Sequence, residues 1–340
     1  MAKKILITGA GGFIGGFLVT EALKRGYETW AAVRATTSRK FLQDERIRFV
    51  ELDFSDADAL QESLRPALDE VGRWDYVVHN LGVTKATNYL DFESVNYGYL
   101  RMLGDALLDL DARPDVLLLM SSLSVMGEGD EKGYTPFRSS DVPVPNTFYG
   151  TSKLKAETYL QTQPVGDNGL PWTIFRCTGV YGPHERDYFL MMKSIKRGFD
   201  FSVGYKKQLL TFIYVEDLAK AVVDALERGP LRKAYFISEP RSYTQKEFRS
   251  LVCRLLDKRF VIPIVAPLWV VKAVCVVAGF IGRLTLKPVT LNRDKYKILR
   301  QRNWQCDISD AIADFNFNPE HDLEAGLTKA IAWYKEAGWL

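Results

Sequence analysis

Near its amino terminus the chain reads Ile5-Leu6-Ile7-Thr8-Gly9-Ala10-Gly11-Gly12-Phe13-Ile14-Gly15, the segment most informative about its architecture. A short β-rich run breaks into glycines at 9, 12 and 15, and an amphipathic stretch from Phe17 to Arg25 follows. Glycine at the first position permits a tight turn, at the second it lets backbone approach a pyrophosphate, and at the third it lets helix pack on strand. A helix starting here offers unpaired N–H groups and a positive dipole end to phosphates. Three spaced glycines alone are a weak signal; the strand before them and the helix after them supply the context a dinucleotide turn requires. Gly9, Gly12, Phe13, Ile14 and Gly15 are therefore expected to hold the phosphates. Lys3 and Lys4 before Ile5 imitate a secretory signal, but the glycines interrupt its apolar core.

Past this turn, β-rich runs at Thr29 to Val33, Arg48 to Leu52, Tyr76 to His79 and Val116 to Ser121 alternate with helix-like stretches such as Ala57 to Val71. Strands and helices alternating in this way imply βαβ units, and the right-handed crossover rule leads to one architecture. The expected class is α/β, a Rossmann-type doubly wound parallel sheet with a smaller C-terminal substrate domain. A chain of 340 residues exceeds what one core usually serves. Residues 1–182 are expected to form the dinucleotide-binding domain and residues 183–340 mainly the substrate domain. Leu210 to Tyr214 and Ala234 to Ser238 read as later strands that rejoin the first domain.

A net charge of +3 from 45 basic and 42 acidic residues, with no long block of one sign, gives no footprint for a polyanion, so nucleic acid is not an expected partner. Cys177, Cys253, Cys275 and Cys306 are far apart and include no CxxC, which suggests free thiols in a reducing cytoplasm and no metal site. Val261 to Gly282 is almost wholly apolar but broken by Pro263, Pro267 and Lys272. It reads as a core or pocket helix, or as a surface dipping into a bilayer, and not as a transmembrane span. A cytoplasmic monomer or homodimer, with or without peripheral membrane contact, fits this composition.

In Rossmann sites a carboxylate at the end of the second strand accepts from the ribose 2′-hydroxyl, whereas a cation there accommodates a 2′-phosphate. Val33 and Arg34 occupy that place, with Arg39 and Lys40 nearby. This favours NADP(H), while NAD(H) stays compatible if Arg34 only covers the adenine. Tyr149-Gly150-Thr151-Ser152-Lys153 begins a helix-like stretch, and a spacing of four puts Tyr149 and Lys153 on one face. An ammonium beside a phenol favours the phenolate, so the pair can exchange a proton as hydride moves.

With TGAGGFIG at 8–15, HNLG at 79–82, Asn96, SSLSVMG at 121–127, YGTSK at 149–153, RCTGVYGP at 176–183 and FIYVEDLA at 212–219, the chain resembles the extended short-chain dehydrogenase/reductases of the NAD-dependent epimerase/dehydratase superfamily. The resemblance covers more than half the chain and implies an oxidoreductase with a catalytic set of Ser122, Tyr149 and Lys153. It implies that Ser122 fixes the substrate oxygen, with Ser124 a rival on the same loop, and that Lys153 binds the nicotinamide ribose. Asp53 and Phe54 would meet adenine, Leu81 and Gly82 the cofactor near its ribose, and Thr178 and Val180 the nicotinamide. Asn96 resembles an architectural or water-binding asparagine. Thr84, Met126 and His184 are candidates on the substrate side; Met126 replaces the family's usual tyrosine and makes that wall more apolar. His79 is expected to be structural and His321 a surface residue, and the three histidines make no metal site.

Relatives that bind dinucleotide without catalysis commonly lack the tyrosine or lysine, so retention of both favours an enzyme over a sensor. Nucleotide-sugar members often carry an arginine and aspartate just before the aromatic residue of the FIYVEDLA-like strand, where this chain has Leu210 and Thr211. Without that charge a buried diphosphate is costly to desolvate. The sequence is thus read as favouring a bulky hydrophobic ketone or alcohol, of the sterol, oxo-lipid or dihydroflavonol kind. A nucleotide-sugar epimerase or dehydratase is the alternative, for which Arg176, Arg186 or Lys206 would supply the phosphate site.

Overall fold

The computed structural model describes residues 2–86, 88–166, 168–285, 289 and 292–340. Its centre is a seven-stranded sheet of β1 (Lys4–Thr8), β2 (Glu28–Val33), β3 (Arg48–Glu51), β4 (Tyr76–His79), β5 (Val116–Ser122), β6 (Trp172–Cys177) and β10 (Lys233–Ile237), with the strands numbered in chain order. They lie in the order β10-β6-β5-β4-β1-β2-β3, with every pairing parallel. The chain builds outward from β1 to β3 and then returns to β4 on the other side of β1. This leaves a switch point where the carboxyl ends of β1 and β4 open a crevice.

Alternation along each strand divides the core in two. Ile5, Ile7, Val78, Leu118 and Phe175 face one layer, together with Leu18 and Val19 of α1 (Phe13–Lys24). Leu6, Val77, Leu117, Leu119 and Ile174 face the other. That second layer is closed by α2 (Ala57–Val71), α4 (Tyr99–Asp109) and α5 (Phe148–Gln161). α2 shows why such helices form: Leu60, Leu64, Ala67 and Val71 make one buried stripe, Asp56 caps the start by accepting from the Ala59 amide, and Gly72 at φ +73° ends it. α3 (Tyr89–Glu93) runs into α4 through one π-helical turn at Ser94–Gly98.

Beyond β6, the strands β7 (Gly179–Tyr181), β9 (Leu209–Tyr214) and β11 (Ser242–Thr244) form a three-stranded sheet of their own. Of the two later strands expected to rejoin the first domain, only β10 does so. β9 pairs with β7 and β11 instead, because its inward residues Phe212 and Tyr214 belong to a third aromatic core. That core also takes α6 (Asp187–Lys196), α8 (Gln245–Leu255) and α12 (Leu323–Glu336), while α7 (Val215–Arg228) and α11 (Ser309–Phe315) return to the first layer. β8 (Phe199–Val203) and β12 (Ile262–Ala266) make a two-stranded parallel ribbon, followed by α9 (Leu268–Thr285) and α10 (Arg293–Arg300).

Two further readings change here. α1 opens at Phe13 and not at Phe17, since Gly12 itself is the N-cap. His321 is largely covered and not on the surface: its Nδ1 lies 3.0 Å from Asp217 Oδ1, its amide donates to Asp217 Oδ2, and its ring lies against Tyr214.

Candidate active site

The glycine turn is tightly determined. Gly9 sits at φ +66°, and a Cβ there would stand 3.0 Å from the Leu81 backbone. A Cβ on Gly15 would fall 2.1 Å from the Gly9 carbonyl oxygen, so any side chain at 15 pushes α1 off β1. No side chain caps the start of α1, and its first turn carries no acid, so the amides at Phe13 and Ile14 are left for an anion. These features fit a dinucleotide pyrophosphate.

A loop that sequence reasoning missed lies against this turn. The Thr37 methyl carbon would lie 2.3 Å from a Cβ on Gly11, and the Phe41 ring stacks on His184 at 3.7 Å. Gly11, Gly12, Phe13, Phe41, His184, Glu185 and Arg186 enclose a cavity of about 320 Å³. His184, expected near substrate, therefore faces the glycine turn, held at φ +73° between Phe41 and Trp333.

Of the cofactor candidates at the second strand, Arg34 is exposed and Val33 is buried. Arg39 donates to Glu51 Oε1 at 2.9 Å and lies over the Phe49 ring, which occupies the cation elsewhere. The Asp53 carboxylate, lowered by the amide of Ser55, is exposed, but the Phe54 ring is buried in a stack with Tyr99. The Leu81 amide donates to Thr8 Oγ1. The Thr178 amide and hydroxyl both donate to the Ile237 carbonyl, while Val180 lies half-buried on β7. Thr84 is exposed on the loop after β4.

The expected catalytic residues come together at the carboxyl end of β5. α5 starts at Phe148, with Thr147 accepting from the Gly150 amide, and one turn carries the chain from Tyr149 to Lys153. A second cap is supplied from far away, for Asp294 on α10 accepts from the amides of Phe148 at 2.6 Å and Tyr149 at 3.4 Å. The Ser122 hydroxyl stands close enough to the Tyr149 hydroxyl to favour its phenolate, and the Tyr149 ring meets Phe92 edge-on. Lys153 Nζ donates to the Met120 carbonyl at 2.8 Å and stands 3.0 Å from where a Gly82 Cβ would be. A Cβ at 82 would crowd Asn96 Oδ1 and Lys153 Nζ, so a side chain there would make both give way. Asn96, on the π-helical turn, holds the same loop from below: its Oδ1 accepts from the Val83 amide, and its Nδ2 donates to the Val83 carbonyl and to Ser152 Oγ.

Burial pushes the Tyr149 phenol up to about 12, against the Ser122 hydroxyl, which favours the phenolate. Burial likewise brings the Lys153 ammonium down to about 8. His79, enclosed beside Thr8, is driven down to about 3 by burial and by the nearby Lys153, and stays neutral. A proton is thus held on the tyrosine at neutral pH and is lost from Lys153 within reach of physiological pH.

Met126 is corrected from pocket wall to core. It is 3 % exposed, and its sulfur accepts from Arg176 Nη1 at 3.6 Å. Arg176 in turn is no phosphate ligand: Nη2 donates to Glu157 Oε2 at 2.7 Å, Nε lies 3.1 Å from the same oxygen, and Ser121 Oγ donates to Glu157 Oε1 at 2.5 Å. Ser124 stays near the site, half-buried, with its amide donating to Ser122 Oγ. Among the described residues no cluster able to hold a metal occurs, and the four cysteines are free.

A family model described as the NAD dependent epimerase/dehydratase family matches residues 5–238. The chain is 24 % identical over 346 residues to a UDP-glucose 4-epimerase of Vibrio cholerae, spanning 99 % of this chain and 97 % of that one. It is 27 % identical over 233 residues to the decarboxylating sterol-4-alpha-carboxylate 3-dehydrogenase of Bos taurus, across 65 % of this chain and 61 % of the relative. A crystal structure of UDP-glucuronic acid 4-epimerase from Bacillus cereus in complex with NAD superposes with a TM-score of 0.74 at 19 % identity, covering 99 % of this chain and all of that one, a likeness of fold. The match across the glycine turn, the Tyr149 helix and β10 makes this chain a member of the NAD dependent epimerase/dehydratase family.

Proposed function

We propose that this protein carries out NAD(P)-linked oxidation and reduction at one carbon of a nucleotide-linked sugar. The observation that carries the reading is the seating of Ser122, Tyr149 and Lys153 beside Gly82, at the open end of β4 and β5. The end-to-end alignment with a UDP-glucose 4-epimerase supports that substrate class over the hydrophobic ketone favoured from sequence. A bound nicotinamide supplies the hydride acceptor and donor. Ser122 and Tyr149 bind the reacting oxygen; on oxidation Tyr149, once its resting proton has passed to solvent, takes the proton of that oxygen, and on reduction it returns it. The Lys153 ammonium makes the phenolate accessible during that exchange. Elimination of water needs an acid at the neighbouring carbon, and the loop 121–127 carries no carboxylate, which favours epimerisation or simple oxidation over dehydration.

A second reading, reduction of a bulky apolar ketone, is favoured by one specific feature. Thr211, where nucleotide-sugar relatives carry a charge, gives its hydroxyl to the Trp304 carbonyl, and Arg176 is locked on Glu157. One experiment separates the two. UDP-glucose, UDP-glucuronate and dTDP-glucose are offered with catalytic NAD or NADP and the sugars resolved by NMR, while NADPH oxidation is followed with 3-oxo steroids and long-chain 3-oxo lipids. A new epimer supports the first reading; ketone reduction with inert sugar nucleotides replaces it by the second.

The cofactor preference rests on Val33 and on Arg34, which is exposed and in no ion pair among the described residues. NADPH is expected to bind more tightly than NADH, and Val33→Asp with Arg34→Asn is expected to reverse the order. Calorimetric titration decides it, and tighter NADH binding by the unaltered protein would refute the preference.

A further inference from the structure

We propose that the face built from β8, β12 and α9 seats on an anionic lipid bilayer, with the helix lying in the interface. In the β8/β12 ribbon, Phe199 is in register with Ile262 and Phe201 with Ile264, and all four side chains are exposed on one side. Phe260, just before β12, is 76 % exposed. Along α9 the exposed positions Trp269, Ala273, Val276, Val277 and Phe280 follow helical spacing and make one apolar stripe, with Trp269 74 % and Phe280 63 % exposed. The run that sequence alone reads as a core or pocket helix, or as a surface dipping into a bilayer, thus turns much of its apolar surface outward. Contiguous apolar patches of this kind on a folded protein mark an interaction face.

Charge identifies the occupant. The segments 193–207 and 258–285, which hold this face and its edges, contain one acid, Asp200, and it is buried and paired with Arg249. Around the apolar positions stand Lys196, Arg197, Lys206, Lys207, Arg259 and Lys272, all exposed and none in an ion pair among the described residues. The whole chain carries only +3, so the positive charge is concentrated where the aromatic side chains are. A second copy of the same face would bring like charges together, whereas lipid phosphates complement them. Exposed tryptophan and phenylalanine beside lysine and arginine match the chemistry of the headgroup boundary. Among the described residues no helix is long and apolar enough to cross a membrane, which fits a helix lying in the interface. None of this depends on which substrate the site takes.

The test is co-sedimentation of the full chain with vesicles of phosphatidylcholine alone and of phosphatidylcholine with phosphatidylglycerol, at low and at high salt. Partitioning is expected to be at least ~10-fold stronger on the anionic vesicles and to fall as salt screens the lysines. The pair Lys206→Glu/Lys207→Glu removes the charge, and the pair Trp269→Ser/Phe280→Ser removes the apolar anchor. Each is expected to lower partitioning by at least ~10-fold with unchanged circular dichroism, since all four positions are exposed. Equal binding to both vesicle types, or binding indifferent to both pairs, overturns the proposal. So does a wild-type dimer that ignores vesicles and dissociates on Trp269→Ser/Phe280→Ser, which would assign the face to a second copy.

Discussion

Tyr149→Phe is expected to lower turnover by at least ~100-fold, the usual scale for losing a positioned acid or base, with the melting temperature nearly unchanged. The ring keeps its edge contact with Phe92, and only the hydroxyl beside Ser122 is lost. Near-normal turnover would show that another group moves the proton. The companion Lys153→Met tests the same site through stability. In the folded chain the ammonium is held at about 8, below its ordinary 10.5. Between those values the unfolded chain binds more protons, so this group makes stability rise with pH across that window, and below about 8 the buried charge is a cost. Lys153→Met is therefore expected to be inactive yet at least as stable as the parent at neutral pH, with the difference shrinking as pH climbs through that window. Melting curves on either side of it check the sign.

Glu157→Ala is expected to cost about 3–5 kcal/mol, because it leaves the Arg176 guanidinium buried without its counter-charge. Arg176 is 4 % exposed and Glu157 fully enclosed, and the pair also anchors Ser121, next to Ser122 on β5. Urea unfolding measures the loss, and a double replacement Glu157→Leu/Arg176→Met is expected to recover most of it, since both ions then leave the interior together. A single-variant loss below about 1 kcal/mol would show that water reaches the arginine.

What could be read from sequence was what local pattern determines. β1, β4 and α2 are continuous or striped apolar runs ended by turn residues, and the glycine turn and the four-residue spacing of Tyr149 and Lys153 are short-range geometry. What was missed depends on partners remote in the chain. Nothing around Arg293-Asp294-Lys295 announces a cap for Tyr149, and nothing near Met126 says that Arg176 takes its sulfur. His184 was assigned to substrate by its neighbours in sequence, whereas Phe41, on another loop, draws it over the glycine turn. β9 looked like a strand of the large sheet because a strand's own residues do not name its neighbours; the aromatic core of the second half does.

The two caps on α5 have different owners. Thr147 is the helix's own N-cap, while Asp294 is lent by α10, across 145 residues of chain. The start of α5, which carries Tyr149, is therefore held both by its own N-cap and by α10, and α10 also reaches the Asn146 carbonyl through Lys297. A shift of α10 is therefore expected to disturb the start of α5 and to leave the glycine turn, which shares no hydrogen bond with α10 among the described residues, in place: the anchor of the proposed acid is separate from the proposed phosphate turn.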